Sequence, residues 1–124
     1  MQAALKEAKK AMREGEVPVG AVIVKGKDII SRAYNQTIRK RDPTAHAEIL
    51  AIRRAAIKEG DFRLAGTRMY VTVKPCPMCR GALALARVKR VIYSAPPGKV
   101  LPLPRVSFRS GVLRDQCQRV MKDF

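Results

Sequence analysis

This 124-residue chain has a single histidine, three cysteines, ten acidic residues and no tryptophan. Each scarcity excludes something. No apolar run is long enough to cross a bilayer, so a membrane protein is not expected. An odd number of cysteines makes a poor disulfide framework and points to a reducing, cytoplasmic setting, with thiols free or bound to metal. The N-terminal "MQAALKEAKKAM" lacks the apolar block and cleavage site of a secretory signal, and Glu7 and Glu14 argue against a mitochondrial leader. The ten acids face 26 Lys and Arg, a formal net charge of +16. An excess of one sign suggests a polyanionic partner, most often nucleic acid. A solubility surface or a thermophile's charged surface is the plainer reading, but the latter usually mixes both signs. Anionic lipid fits less well, because aromatic anchors are few.

What is present is a globular composition, 47% hydrophobic, without repeats, linkers or low-complexity tracts. One domain over residues 1–124 is expected. A first helix reads from Gln2 to about Gly15, with Ala4, Leu5, Ala8, Ala11 and Met12 on one face. "VPVGAVIVKGKDIISRAY" reads as two strands joined at Gly26-Lys27-Asp28, and the unbroken "GAVIV" suits a central strand. "NQTIRKRDP" reads as a basic loop. A second helix is expected from Pro43 to Glu59, with Ile49, Ile52, Ala56 and Ile57 toward the core. "TRMYVTV" reads as a strand, "PCPMCRGALALAR" as a turn entering a helix, and "VKRVIYSA" as a strand. "PPGKVLPLP", a loop, holds four of the eight prolines. "RVSFRSG" reads as an edge strand. In the last helix Leu113, Cys117, Val120, Met121 and Phe124 form an apolar stripe. The order predicts an α/β fold, a three-layer α/β/α sandwich on a mixed sheet of about five strands.

The lone histidine lies in "PTAHAEIL". Asp42 and Pro43 read as the N-cap and first residue of the second helix, which places His46 in its first turn. Mid-helix, residues two apart diverge by about 200°, so His46 and Glu48 can share a site only at the helix's N-terminal end. In "KPCPMC", Pro77 opens a helix and Cys76 caps it. Cys79, the third helical residue, then neighbours the cap. Both sulfurs lie at the positive end of a helix, which favours the thiolate that zinc requires. One imidazole and two thiolates make three ligands, and a catalytic zinc site leaves the fourth position to water. Glu48 would move that water's protons. Each piece has a plain alternative: a surface histidine, a redox C-x-x-C, or a closed structural site with Cys117 as fourth ligand. Cys117, within an apolar stripe, reads as a small hydrophobe. The combination H-x-E with P-C-x-x-C, on two helix starts separated by one strand, is the signature of zinc deaminases.

The chain resembles the bacterial tRNA-specific adenosine deaminases of the cytidine deaminase-like superfamily. "GEVPVGAVIVK", "YN", "DPTAHAEILAIR", "MYVTVKPCPMC", "GAL", "RVKRVIYSA", "SGVL" and "DQC" carry the resemblance over nearly the whole chain. It implies conversion of the wobble adenosine of a tRNA to inosine by a homodimer. It also implies one zinc per chain on His46, Cys76 and Cys79, with Glu48 as general acid/base. Asn35 matches a family asparagine that contacts the nucleoside, and the backbone around Ala47 lies beside the base. Two departures stand out: Lys74 occupies a position where the family commonly has Glu, and "PPGKVLPLP" replaces a longer helix-containing connection, as in a compact or engineered relative. On charge, several of Arg39, Lys40, Arg41, Arg80, Arg87, Lys89 and Arg90 are expected to reach phosphates around the target, Arg39, Lys40, Arg41 and Arg80 first among them. Deamination of cytosine in single-stranded DNA, or of free bases and nucleosides such as guanine, stays open. So does a non-catalytic nucleic-acid binder with structural zinc.

Overall fold

In the computed structural model of the chain, residues 1–95, and beyond them Asp115 alone, are described. The elements in order are α1 (Gln2–Arg13), β1 (Gly20–Lys25), β2 (Asp28–Tyr34), α2 (Ala47–Glu59), β3 (Thr67–Val73), α3 (Pro77–Leu85) and β4 (Arg90–Ala95). Among the described residues the sheet has four strands in the order β2-β1-β3-β4. β1 pairs antiparallel with β2 and with β3, and β3 pairs parallel with β4. The strand expected over 105–111 and the helix expected over 112–124, with Cys117, lie outside the described residues, as does the loop 96–104.

β1 is the central strand that its unbroken apolar run predicts. Ala21 and Ile23 face a cluster with Leu50, Ala51, Met69, Val71 and Leu83. Val22 and Val24 face the other way, onto Ala4 with Ile29 and Tyr70. Alternation along one strand thus serves two cores. α1 covers one face of the sheet, and α2 and α3 cover the other. Every described helix is too short or too polar to cross a membrane.

Two helix faces differ from expectation. In α1, Ala4, Ala8 and Ala11 are buried, but Leu5 is 47% and Met12 62% exposed. The cause is close approach. A Cβ at Gly20 would run into the Ala4 carbonyl and the Ala8 backbone nitrogen, so only alanines fit between helix and sheet, and larger side chains turn outward. The fourth buried residue, Glu7, is paired with Lys10 at 3.0 Å. In α2 the buried apolar face is Ala47, Leu50, Ala51 and Ala55. Ile57 is 82% exposed, while Ile49, Ile52 and Ala56 are half-buried.

α2 also begins later than its sequence signals suggest, at Ala47 rather than Pro43. Asp42 spends its carboxylate on Thr44, accepting from the backbone N at 2.9 Å and from Oγ1 at 2.7 Å. That is a local turn rather than a helix cap. Gln36 N then donates to Ala45 O at 3.0 Å and holds the chain extended up to His46, the true N-cap. The C-terminal end follows the sequence: Gly60 closes α2 at φ 67°, a left-handed conformation suited to glycine.

Candidate active site

The N-termini of α2 and α3 meet at one end of the sheet. His46 caps α2, Cys76 caps α3, Pro77 is the first residue of α3 and Cys79 its third. His46 Nδ1 lies 3.4 Å from Cys79 Sγ and 3.7 Å from Cys76 Sγ. All three donor atoms fall within 4.8 Å of one another. Zinc bonds of about 2.3 Å to sulfur and 2.1 Å to nitrogen place tetrahedral neighbours about 3.6–3.8 Å apart. The two His–Cys separations are close to that spacing, and the two sulfurs lie within 4.8 Å of each other, so the cluster can supply three corners of a zinc tetrahedron. Cys79 is fully buried, whereas His46 and Cys76 are partly open toward a cavity.

That cavity has a volume of about 180 Å³. It is lined by His46, Glu48 and Cys76, by the polar Asn35, Thr37 and Lys74, and by Val17, Val19 and Val73. Glu48, the second residue of α2, is only 4% exposed. Burial, and then the Glu48 carboxylate and Cys76, push the Cys79 thiol well above its ordinary range. At Cys79, burial works against the thiolate that a helix end favours. The buried, acid-flanked sulfur stays protonated until a cation such as zinc displaces the proton.

Asn35 lies where the cavity needs it, 5% exposed, with Nδ2 donating to Thr37 Oγ1 at 3.3 Å and its backbone N to Val19 O at 3.0 Å. Ala47 is fully buried between ligand and acid, its side chain in the α2 core. Arg39, Lys40 and Arg41 form an exposed run just beyond Thr37. Arg80 is exposed on α3 and lines a neighbouring recess with Lys74, Val91 and Tyr93. Arg87, Lys89 and Arg90 are displaced from the target. Arg90 pairs with Arg68, whereas Ala95 pairs with Val73 at the cavity end, so five residue steps, roughly 17 Å of strand, separate them. Sequence reasoning did not single out Val17, Val19, Thr37 and Val73 as cavity residues. Their signal is position: they flank β1, β2 and β3 at the ends that meet the two helix caps.

Residues 1–95 match the cytidine and deoxycytidylate deaminase zinc-binding region. A tRNA-specific adenosine deaminase of Aquifex aeolicus is 52% identical over 95 residues, 77% of this chain and 63% of that protein. One from Bacillus subtilis is 42% identical over 137 residues, with all of this chain and 85% of the relative covered. The chain belongs to the tRNA-specific adenosine deaminase family. Among solved structures, one from work on A-to-I editing by tRNA:A34 deaminases superposes with a TM-score of 0.77 at 45% identity, covering 80% of this chain and 72% of that one. The Bacillus subtilis guanine deaminase superposes with a TM-score of 0.80 at 30% identity, covering 99% and 91%. The match to the Aquifex relative thus spans less than two thirds of that protein's length. The chain thus belongs to a zinc-dependent deaminase family, and His46, Cys76 and Cys79 form a group that could hold a metal ion, with Glu48 lining the same cavity as His46 and Cys76.

Proposed function

We propose that the chain deaminates adenosine to inosine in the anticodon of a tRNA, or in an equivalent single-stranded or looped nucleic acid. The convergence of His46, Cys76 and Glu48 on one cavity, with Cys79 buried beside His46 and Cys76, carries this reading, and the tRNA deaminase relatives support the substrate. His46, Cys76 and Cys79 would hold the zinc, which would supply a water acidic enough to act as nucleophile at neutral pH. Glu48 would take one proton from the attacking water and deliver it to a ring nitrogen, then take the proton of the newly added hydroxyl and pass it to the amine, which leaves as ammonia while the hydroxyl oxygen becomes the carbonyl. Asn35 hydrogen-bonds the nucleoside, and the backbone at Ala47 lies against the base. The valine wall keeps bulk water off the reacting carbon. Arg39, Lys40 and Arg41, with Arg80 across the recess, contact phosphates beside the target.

In this reading residues 1–124 act as one domain, in the cytoplasm, as a homodimer. The exposed Ile57 of α2 and Leu85 of α3 supply apolar surface for a second copy. The guanine deaminase likeness favours a second reading, deamination of a free purine. The charge of +16 separates the two. Initial rates on an anticodon stem-loop, on single-stranded DNA, and on free adenosine and guanine decide between them. The proposal expects turnover of the stem-loop that falls steeply with salt. Salt-insensitive turnover of a free purine, with the stem-loop untouched, would overturn it.

A further inference from the structure

Glu16 lies in the connection between α1 and β1, outside the zinc cluster, and is only 5% exposed. A carboxylate that deeply buried is costly unless its oxygens are hydrogen-bonded. Both are used, each on a different amide: Ile38 N donates to Oε2 at 3.1 Å and Arg39 N donates to Oε1 at 2.7 Å. Loop 36–42 is thereby tied to a segment more than twenty residues away in sequence. Within the loop, Lys40 N donates to Gln36 O and Asp42 N to Thr37 O, so it behaves as one compact turn. At the surface Glu14 accepts from Tyr34 Oη at 3.0 Å and from Arg39 Nη1 at 3.3 Å.

The tied segment borders the chemistry. Asn35 and Thr37 line the cavity just before the clamped amides, and Val17, next to Glu16, lines the same cavity. The Arg39–Glu14 pair is exposed and weak, so Arg39 can exchange Glu14 for a phosphate while the buried latch stays closed.

We infer that Glu16 is a positioning residue that sets the cavity entrance. It fixes Asn35 and Thr37 against the nucleoside and presents Arg39 to the flanking phosphate. The phosphate part rests on the nucleic-acid reading above; the nucleoside part does not.

The test is Glu16→Gln, which keeps the side chain's volume but replaces one acceptor oxygen with a donor. Zinc content, hydrogen exchange of the Ile38 and Arg39 amides, and kcat and KM on an anticodon stem-loop and on free adenosine are measured together. Full zinc and faster exchange at both amides are expected. KM for the stem-loop should rise about ten- to hundredfold, the range for losing a charge-assisted hydrogen bond, with kcat within about threefold. A lower melting temperature with unchanged KM would reduce Glu16 to a structural residue and overturn the inference. Should the wild-type protein ignore the stem-loop yet turn over the free nucleoside, the nucleic-acid reading fails on its own. Glu16 is then judged on the nucleoside KM, which must still rise. Glu16→Asp, whose oxygens sit one methylene short of the two amides, gives the same readings where the Gln variant does not fold.

Discussion

Replacing Glu48 with Gln separates the chemistry from the metal site. Glu48 is 4% exposed at the start of α2 and shares the cavity wall with His46 and Cys76. Gln has the same volume and cannot carry a proton. The three zinc donors are untouched, so metal content should stay at one zinc per chain. A positioned general acid/base contributes about 10²–10⁴ in rate. At 1.36 kcal/mol per tenfold, that is about 3–5 kcal/mol of transition-state stabilisation. The upper half of that range is expected, because in this reading Glu48 serves the attacking water, the ring nitrogen and the leaving amine. Single-turnover inosine formation, with protein in excess over stem-loop, reads the chemical step free of product release. Zinc is quantified on the same sample. A folded, fully metallated Glu48→Gln protein within about tenfold of wild type would remove Glu48 from the proton path.

Cys79→Ser should abolish zinc binding and activity, while Cys117→Ser should leave both intact; zinc loss in the second would indicate a closed structural site. The log–log salt slope of stem-loop binding should be near −0.7 for each phosphate contact, and Arg39→Ala should make it shallower by about that amount; an unchanged slope would take Arg39 off the phosphate. Gly20→Ala should destabilise the fold by about 1–3 kcal/mol, the range for overpacking, since the new Cβ meets the Ala4 carbonyl and Ala8 nitrogen; an unaltered denaturation midpoint would refute that contact. In the metal-free protein the Cys79 thiol is raised above its ordinary value of 9.0 by burial and Glu48. The unfolded chain therefore gives up that proton first, so the stabilising effect is complete below about pH 9 and is lost as pH climbs further. Thermal unfolding at pH 8 and pH 10 should show the drop without zinc and a smaller one with zinc; equal drops would contradict it.

The helix start at Pro77 is legible in the sequence because proline there is consistent with a single local structure, with Cys76 as the cap. Asp42-Pro43 carries the same signals, yet α2 starts at Ala47. The difference is Thr44, whose amide and hydroxyl consume the Asp42 carboxylate before any helix can use it. The apolar face of α1 departs from its sequence pattern for another reason. Hydrophobicity ranks Leu5 and Met12 above alanine, but the spacing between helix and sheet, set at Gly20, admits only alanine. Neither fact is local to the window in which a helix is recognised. Glu16 was invisible on the same grounds, since its partners are amides more than twenty residues on.

Cap signals alone cannot bring His46 to Cys76, 30 residues away. Strand order does that. β2 and β3 both run antiparallel to β1, which lies between them, so β2 and β3 run the same way. The carboxyl ends of both, Tyr34 and Val73, are therefore at one edge of the sheet, and the chain leaving each must turn back as a helix beginning there. Two helix N-termini, and the positive ends of two dipoles, face the same cavity for that reason. The short connection 74–76 brings Cys76 directly to its helix start. The longer one, 35–46, adds a wall on its way to His46, and it is this wall that Glu16 ties down. An insertion that lengthened 35–46 while sparing every ligand should leave zinc bound and weaken substrate binding. Loss of zinc in such a variant would mean that the loop holds the metal site together instead.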